Sequence, residues 1–289
     1  MYDQALKEIP GMNDLRGKTI LITGSTRGIG REIALRCARD GAKVVITGKT
    51  VTAHAKLPGT IHTVAEEVVQ AGGQALAIQL DVRDELAIKS AVEQAVRHFG
   101  GIDVLVNNAS AISMTPTLET TAKRLDLMWD VNMRATFLVS QACIPHLERA
   151  DNPHILSLSP PLNLDAKWFA PHLAYTISKY GMSLCTLGLA RELAGDGSGA
   201  GGIGVNCLWP RTTIATAAIE FNFPEAVLRA SRLPAIVADA AHAILTSDSR
   251  TCSGNFFIDE EVLRAAGESD FARYAVAPGT PLFNDLFLG

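Results

Sequence analysis

The chain has 289 residues, 47% of them hydrophobic and 19% charged, with a formal net charge of −4. That length suits one large α/β domain, which buries enough surface to need no disulfide or metal staple. The slightly acidic balance gives no electrostatic reason for a nucleic-acid or membrane partner.

Residues 18–24 (KTILITG) predict a first strand that runs into a glycine turn, followed by a helix over 29–40 that Gly41 stops. Residues 42–48 predict a second strand, 62–73 an amphipathic helix with a glycine stop, and 74–82 a third strand. A helix over 84–101 opens on an acidic cap and closes on glycine. A fourth strand over 102–109 (IDVLVNNA) leads to a long helical region from 121 to 148. Residues 154–159 (HILSLS) predict a fifth strand, 174–194 a helix, 202–210 (GIGVNCLWP) a sixth strand and 253–260 a seventh. Strands alternating with helices of this length need crossover connections. The expected fold is therefore α/β: a single-domain, Rossmann-like, doubly wound parallel sheet of about seven strands with helices on both faces. The glycine-rich stretch 194–202 reads as a surface loop within one domain, 1–289, whose core covers about 15–262. The tail over 268–289, with Pro278 and Pro281, is too irregular for a helix throughout; it packs over a neighbour or over the pocket.

Cys37, Cys143, Cys185, Cys207 and Cys252 are scattered, without a CxxC pair or a histidine at ligand spacing. They read as buried reduced thiols, and no metal is expected. With no apolar leader in MYDQALKEIPGMNDLRGK and no stretch long enough to span a bilayer, the expected location is the cytosol.

The first strand runs straight into Thr23-Gly24-Ser25-Thr26-Arg27-Gly28-Ile29-Gly30. Glycines here let the chain turn tightly and bring backbone N–H groups to a pyrophosphate at a helix N-terminus. An NAD site usually places an acid at the end of the second strand to hold the ribose 2′-OH. This strand ends Thr47-Gly48-Lys49-Thr50, with a cation beside the acid's place. Arg27 and Lys49, assisted by His54 and Lys56, would flank a 2′-phosphate, so NADP(H) is expected over NAD(H). Ordinary solvated cations are the competing reading.

Ala174-Tyr175-Thr176-Ile177-Ser178-Lys179 opens a helix, and residues four apart share a face. A fixed cation at Lys179 would lower the phenol's pKa and make Tyr175 a general acid/base near neutrality. NNAS at 107–110 and Asn132 in DVNMRATF accompany the pair. With TGSTRGIG at 23–30, LDV ending at 82, VN at 131–132, YTISK at 175–179 and LWP at 208–210, the chain resembles the short-chain dehydrogenase/reductase family over about residues 15–262. NASAIS (108–113), KRLDLM (123–128), SPPLNL (159–164) and YAVAPGTPL (274–282) resemble, more narrowly, a hydroxysteroid-dehydrogenase-like group. Animal members of that group carry an additional sterol-carrier domain and a peroxisomal signal.

The resemblance implies that Gly24, Ser25, Thr26, Arg27, Gly28, Ile29 and Gly30 cradle the pyrophosphate and that Lys49 approaches the adenosine 2′-phosphate. Asp81, with Val82 beside it, would face the adenine; Asn107 and Ala109 would line the cofactor, and Pro210 would sit beside the nicotinamide. Tyr175 would pass the substrate proton, Lys179 would hold the nicotinamide ribose hydroxyls and tune Tyr175, and Asn132 would hold a water in a proton relay.

Two positions depart from the family pattern. Aligning residues 155–160 (ILSLSP) on the strand that ends in the catalytic serine puts Pro160 where that serine usually stands. Three readings follow: Ser159 reaches in from a shifted frame, Asn163 polarises the carbonyl, or the donor is absent. Ser159 is the expected one. Proline–glycine is replaced by Pro210-Arg211. Arg211 either serves phosphates or an acidic substrate, or pairs with a local acid, while Thr212 and Thr213 offer hydroxyls to the nicotinamide amide or a phosphate. Trp168, Phe169, Trp209, Phe221 and Phe223 line an apolar pocket for a fatty or steroid-like carbonyl, cap the core, or form a subunit interface. The expected function is hydride transfer between NADP(H) and a small-molecule carbonyl/alcohol pair, in a homodimer or homotetramer. The rival is a nucleotide-binding regulatory or scaffold protein of the same fold. The serine displacement and Arg211 speak for it; Tyr175, Lys179 and Asn132 speak against it.

Overall fold

Seven apolar runs pair into one sheet in the computed structural model, which describes residues 14–53, 59–195 and 202–288. They are β1 (Thr19–Ile22), β2 (Lys43–Gly48), β3 (Gln74–Gln79), β4 (Val104–Asn107), β5 (His154–Ser157), β6 (Gly204–Trp209) and β7 (Phe256–Ile258). The order is β3-β2-β1-β4-β5-β6-β7 and every neighbouring pair is parallel, with Leu21 opposite both Val45 and Leu105. β1, β4, β5 and β6 are buried along their whole length, because crossover helices cover both faces. That is why they read as continuous apolar runs.

The helices are α1 (Gly28–Ala38), α2 (Ile61–Gln70), α3 (Glu85–Phe99), α4 (Ala122–Met128), α5 (Ala135–Leu147), α6 (Leu173–Glu192), α7 (Ala217–Asn222), α8 (Glu225–Arg229), α9 (Ala235–Leu245) and α10 (Asp259–Ala265). On one face α1, α2 and α9 pack on Ile20, Ile22, Val44 and Ile46; on the other α3 and α5 pack on Leu21, Val45 and Leu105. The alternation of strand side chains sorts the two clusters. α3 has the predicted caps: the Asp84 carboxylate accepts from Leu86 and Ala87 N–H at 2.9 and 3.1 Å, and Gly100 ends the helix at φ 93°.

Several details differ from the sequence reading, which named no helix where α7, α8 and α9 lie. The helical region over 121–148 is α4 and α5 joined by a π-helical turn, Trp129–Arg134, which contains Asn132. This wider turn presses Met133 onto α6 so closely that a Cβ at Gly181 would come within 2.6 Å of Met133 Cγ. β7 stops at Ile258 because the chain turns into α10, whose first turn carries Asp259, Glu260 and Glu261. The tail is extended: it bridges Arg232 to Ala275 and Thr212 to Asn284, and ends with Phe287 buried at φ 70°. Of its two expected positions, it takes the one over the pocket.

Most of the glycine-rich stretch, and both His54 and Lys56, lie outside the described residues. Cys37, Cys143, Cys207 and Cys252 are buried and Cys185 is half-buried, all as free thiols. Among the described residues, no helix is long and apolar enough to cross a membrane.

Candidate active site

The sheet order reverses between β1 and β4, and the crevice at such a switch point, outside the C-terminal strand ends, is where ligands bind in open α/β sheets. Here it is a groove of about 400 Å³ bordered by the β1 turn, the ends of β2 and β3, and the loop after β4. Gly24 (φ 66°) and Gly28 (φ 57°) make the turn, and a Cβ on Gly24 would come within 2.9 Å of Ala109 Cα. A Cβ on Gly30 would collide with the Asn108 amide and lie 2.9 Å from the Gly24 carbonyl. Thr26, Arg27, Gly28 and Ile29 border the groove. Ser25 does not: its hydroxyl is buried, donating to the Ile22 carbonyl at 3.1 Å and accepting from Thr47 N–H at 3.0 Å. Arg27, the N-cap of α1, puts no side-chain acceptor on the helix, so the first-turn N–H groups are available to an anion.

At the β2 end, the Arg27 guanidinium donates to the Thr50 hydroxyl at 3.1 Å, while its Nε is buried without a partner. Lys49 is 3.9 Å from the Asp81 carboxylate. Arg83 grips the same carboxylate at 2.6 Å and is the main reason that Asp81 is held down at about pKa 2. Asp81 and Val82 border the groove as expected from the sequence. A tight turn with open N–H groups, an orphaned guanidinium donor and a second cation fit a phosphorylated dinucleotide.

Asn107 is a correction. Its amide is buried and donates to the Ser140 hydroxyl at 3.1 Å, away from the groove. Strand alternation sends the next residue the other way. Asn108 borders the groove and donates to the carbonyls of Thr23 and Gly24 at 2.9 and 3.0 Å, with Ala109 beside it.

The groove runs into a second cavity of about 180 Å³ that contains Tyr175 and Lys179; Ile29, Asn108, Ser110, Thr216 and Ala218 border both. Lys179 Nζ donates to the Leu158 carbonyl at 2.7 Å and lies 5.2 Å from the centre of the Trp209 ring. Burial draws the Lys179 ammonium down to about pKa 8, against the pull of the Asp285 carboxylate. Burial first, and Asp285 second, push Tyr175 above the ordinary phenol range. The lowering expected from Lys179 is absent here because desolvation of the phenolate dominates.

Asn132 acts as a clamp. Its carbonyl oxygen Oδ1 accepts from Ala111 N–H at 2.7 Å, and its amide donates to the Ala111 carbonyl at 3.0 Å and the Ser178 hydroxyl at 2.9 Å. The loop after β4 is thereby tied to α6 one residue before Lys179. Ser159 stands elsewhere than expected: it is fully buried and donates to Cys207 Sγ at 3.0 Å, while Leu158 takes the cavity-facing position. Asn163 does not border the cavity either; its N–H donates to the Tyr180 hydroxyl at 3.2 Å and its amide to the Phe287 carbonyl at 3.4 Å. Of the three readings of the missing donor, neither named side chain reaches the cavity.

Pro210 borders the Tyr175 cavity, but Thr212 is another correction: its hydroxyl is buried without a partner and its backbone pairs with Asn284 of the tail. Thr213 is tied to Ser231 at 2.7 Å. Thr216, four residues beyond Thr212, takes the position between the two cavities. Arg211 pairs with Glu261, so the local-acid reading describes it. Its N–H donates to Asp259 at 2.8 Å and its carbonyl accepts from Asp285 N–H at 3.1 Å.

The aromatics divide. Trp168 and Trp209 each lie 5.8 Å from Phe287, whose ring also meets His172, Tyr175 and Tyr180 at 5.3–6.4 Å, so this group caps the core, and Trp209 also borders the Tyr175 cavity. Phe169 meets Tyr180 edge to face, Phe223 borders the cavity, and Phe221 is exposed. The sequence reading missed Asn108, Ser110 and Thr216, which sit inside or just beyond the motifs it used. It also missed Asp285 and Leu286, which no motif marks and which the tail delivers to the cavity wall.

A family model described as short chain dehydrogenase matches residues 18–224. The chain is 54% identical over 280 residues to hydroxysteroid dehydrogenase-like protein 2 of Xenopus laevis, and 51% identical over 280 residues to the protein of that name in Homo sapiens. In each case the match covers 97% of this chain but only 66% and 65% of the relative's length, so the chain spans just under two thirds of these relatives. Among solved structures, a putative dehydrogenase from Xanthomonas campestris is similar with a TM-score of 0.91 and 52% identity, over 96% of this chain and 100% of that one. A short chain dehydrogenase from Burkholderia cenocepacia in complex with NADP is similar with a TM-score of 0.72 and 30% identity, over 85% of this chain and 97% of that one.

Proposed function

The chain belongs to the short-chain dehydrogenase family, and on that footing we propose that it transfers hydride between NADP(H) and an apolar carbonyl/alcohol pair. The observation that carries this reading is the junction of the two cavities at Ser110 and Thr216, which sets Tyr175 and Lys179 at the end of the dinucleotide groove. When bound, the reduced nicotinamide supplies the hydride, two electrons and one proton in a single transfer. As the carbonyl carbon accepts it, the Tyr175 hydroxyl gives its proton to the carbonyl oxygen, and the reverse holds for alcohol oxidation. Burial keeps this phenol protonated in the free protein, so it holds the proton that it gives up. Lys179, buried and one turn further along α6, holds the ribose hydroxyls. Asn132 fixes the distance between the loop after β4 and α6. Arg27 and Lys49 support the choice of NADP(H), and the Burkholderia relative's complex with NADP is consistent with it.

Ile112, Leu158, Ile214, Ile219, Phe223 and Leu286 make the cavity apolar. Its volume of about 180 Å³ is below the roughly 300 Å³ at which small-molecule pockets usually begin, so a linear acyl carbonyl suits it better than a rigid steroid. Exposed Leu173, Ile177, Leu184 and Leu187 share one stripe of α6, which supports a homo-oligomer sealed across that helix. Light scattering of a Leu184→Glu, Leu187→Glu double variant would show the smaller species.

The Ser159–Cys207 contact favours a second reading, a nucleotide-binding regulatory or scaffold protein, since loss of one oxyanion donor typically costs about 10²–10³ in rate. One experiment separates them: NADPH and NADH oxidation followed over a panel of aldehydes, ketones and 3-ketoacyl thioesters, with Tyr175→Phe as control. Turnover that depends on Tyr175 and prefers NADPH supports the enzyme. Tight NADPH binding without turnover supports the second reading.

A further inference from the structure

The cavity around Tyr175 has a wall that the family motifs do not describe. Asp285 and Leu286 come from the tail and border the same space of about 180 Å³ as Tyr175, Lys179 and Ser110. A carbonyl that meets Tyr175 therefore lies in a small cavity that Asp285 also borders. The tail is held there by four contacts. Asp285 N–H donates to the Arg211 carbonyl at 3.1 Å, Thr213 N–H to the Phe283 carbonyl at 3.0 Å and Trp209 Nε1 to the Leu286 carbonyl at 3.0 Å, and Phe287 is buried among five aromatic rings. One Asp285 oxygen accepts from Leu286 N–H at 2.7 Å. Among the described residues, the other has no hydrogen-bond partner and no cation within ion-pair distance. Meanwhile Ser159, which would supply a second donor to a carbonyl, is turned to Cys207.

Resting on the oxidoreductase reading above, we propose that Asp285, as the neutral acid, donates the second hydrogen bond to the reacting carbonyl oxygen, beside the Tyr175 hydroxyl. A carboxyl group can do this only while protonated, and its surroundings favour that form. Burial pushes its pKa up to about 7, the nearby Asp259 carboxylate adds to the shift, and the Lys179 ammonium opposes it. The titratable groups around it are Lys179 and Tyr175 on α6 and Asp259 at the start of α10; Arg211 offers only its backbone, because its guanidinium is on Glu261. Asp285 therefore differs from the serine it replaces in one respect: its donor is lost as pH rises through neutrality. In the carboxylate form it would instead face the developing alkoxide with like charge.

Asp285→Asn keeps a donor that does not titrate, and Asp285→Ala removes it. Both are measured as kcat/KM for carbonyl reduction from pH 5.5 to 9, with NADPH binding by fluorescence as the check that each variant is folded. At pH 6 the alanine variant should fall by about 10²-fold, the size of a lost oxyanion donor, and the asparagine variant by less than about tenfold. The ratio of wild-type to Asp285→Asn kcat/KM should fall above pH 7, because the Lys179 limb near pH 8 is common to both proteins. An alanine variant within about threefold of wild type, an asparagine variant as impaired as alanine, or a ratio that does not change with pH would each overturn the assignment. Tyr175→Phe separates the two ideas. If it is inactive while Asp285→Ala is fully active, only the aspartate's role fails; if it too is active, the oxidoreductase reading through Tyr175 fails. Should no carbonyl be turned over, infrared spectra still decide. A carboxylic-acid C=O band at pH 6 that Asp285→Asn removes supports the neutral acid, and its absence refutes it.

Discussion

Phe287 gives the sharpest test of how the tail is held. Its side chain is fully buried against Trp168, His172, Tyr175, Tyr180 and Trp209, yet its backbone sits at φ 70°, a region that non-glycine residues avoid. Truncating a buried phenylalanine to alanine costs about 3–5 kcal/mol, part of it from the cavity left behind. The left-handed backbone costs a residue with a Cβ roughly 1–2 kcal/mol. Alanine keeps that penalty and glycine escapes it. Glycine ordinarily destabilises by about 0.5–1 kcal/mol relative to alanine through backbone entropy. At this position the balance reverses, and Phe287→Gly should be up to about 1 kcal/mol more stable than Phe287→Ala. Urea unfolding followed by tryptophan fluorescence reads both, since Trp168 and Trp209 flank the site. Hydrogen exchange at Thr213 and Asp285 N–H, which bond across to and from the tail, distinguishes local undocking from global loss. A Phe287→Ala protein within 1 kcal/mol of wild type and still protected at those amides would refute the packing argument. A glycine variant clearly weaker than alanine would refute the strain argument.

Three further outcomes follow from the same structure. Gly30→Ala must push a methyl into the Asn108 amide and to 2.9 Å from the Gly24 carbonyl, so it should cost about 1–3 kcal/mol in unfolding and weaken NADPH binding by calorimetry. Arg27→Ala removes the half-buried guanidinium that meets Thr50 beyond the end of β2 and should weaken NADPH by about 10–100-fold, a charge-assisted bond's worth, with little effect on NADH; equal loss of both would place the phosphate elsewhere. His154 is buried with Nδ1 unpartnered, and burial lowers its pKa from 6.5 to about 4. The unfolded chain therefore binds this proton first. Its neutral form contributes full stability above pH 6.5, and roughly 3 kcal/mol is lost as pH falls from 6.5 to about 4. Unfolding free energies of wild type and His154→Leu across that window should converge as the pH falls; parallel curves would refute the assignment.

The sheet was legible because its central strands β1, β4, β5 and β6 are buried on both faces and read as apolar runs, and because Gly100 stops a helix in positive φ, where it punctuates the sequence. The groove was legible for a similar reason: its turn needs glycine at 24 and 28 and tolerates little else. What misled was direction rather than location. Asn107 at the end of β4 and Ser159 just past β5 are next to the right positions, but the groove goes to Asn108 and the cavity to Leu158. Thr212 and Thr216 differ in the same way, because the segment after β6 pairs with the tail before it returns to the cavity. The phenol's shift could not be read from spacing, since it depends on how much water Tyr175 keeps. Asp285 was illegible for a topological reason: a long-range contact of an irregular segment leaves no periodic trace in its own residues.

The tail also separates two properties that a single pocket would bind together. The dinucleotide groove is bordered by residues 24–131 and 216–218, whereas one wall of the Tyr175 cavity is residues 285–286, carried by a strap outside the sheet. A change at Leu286 can therefore reshape the Tyr175 cavity without touching the strands, the glycine turn or Arg27 and Lys49 beside the groove. For selection in nature, or for a directed-evolution library, that makes Leu286 a position where the shape of the cavity can vary apart from the groove, while Asp285 and Phe287 on either side stay fixed by their contacts.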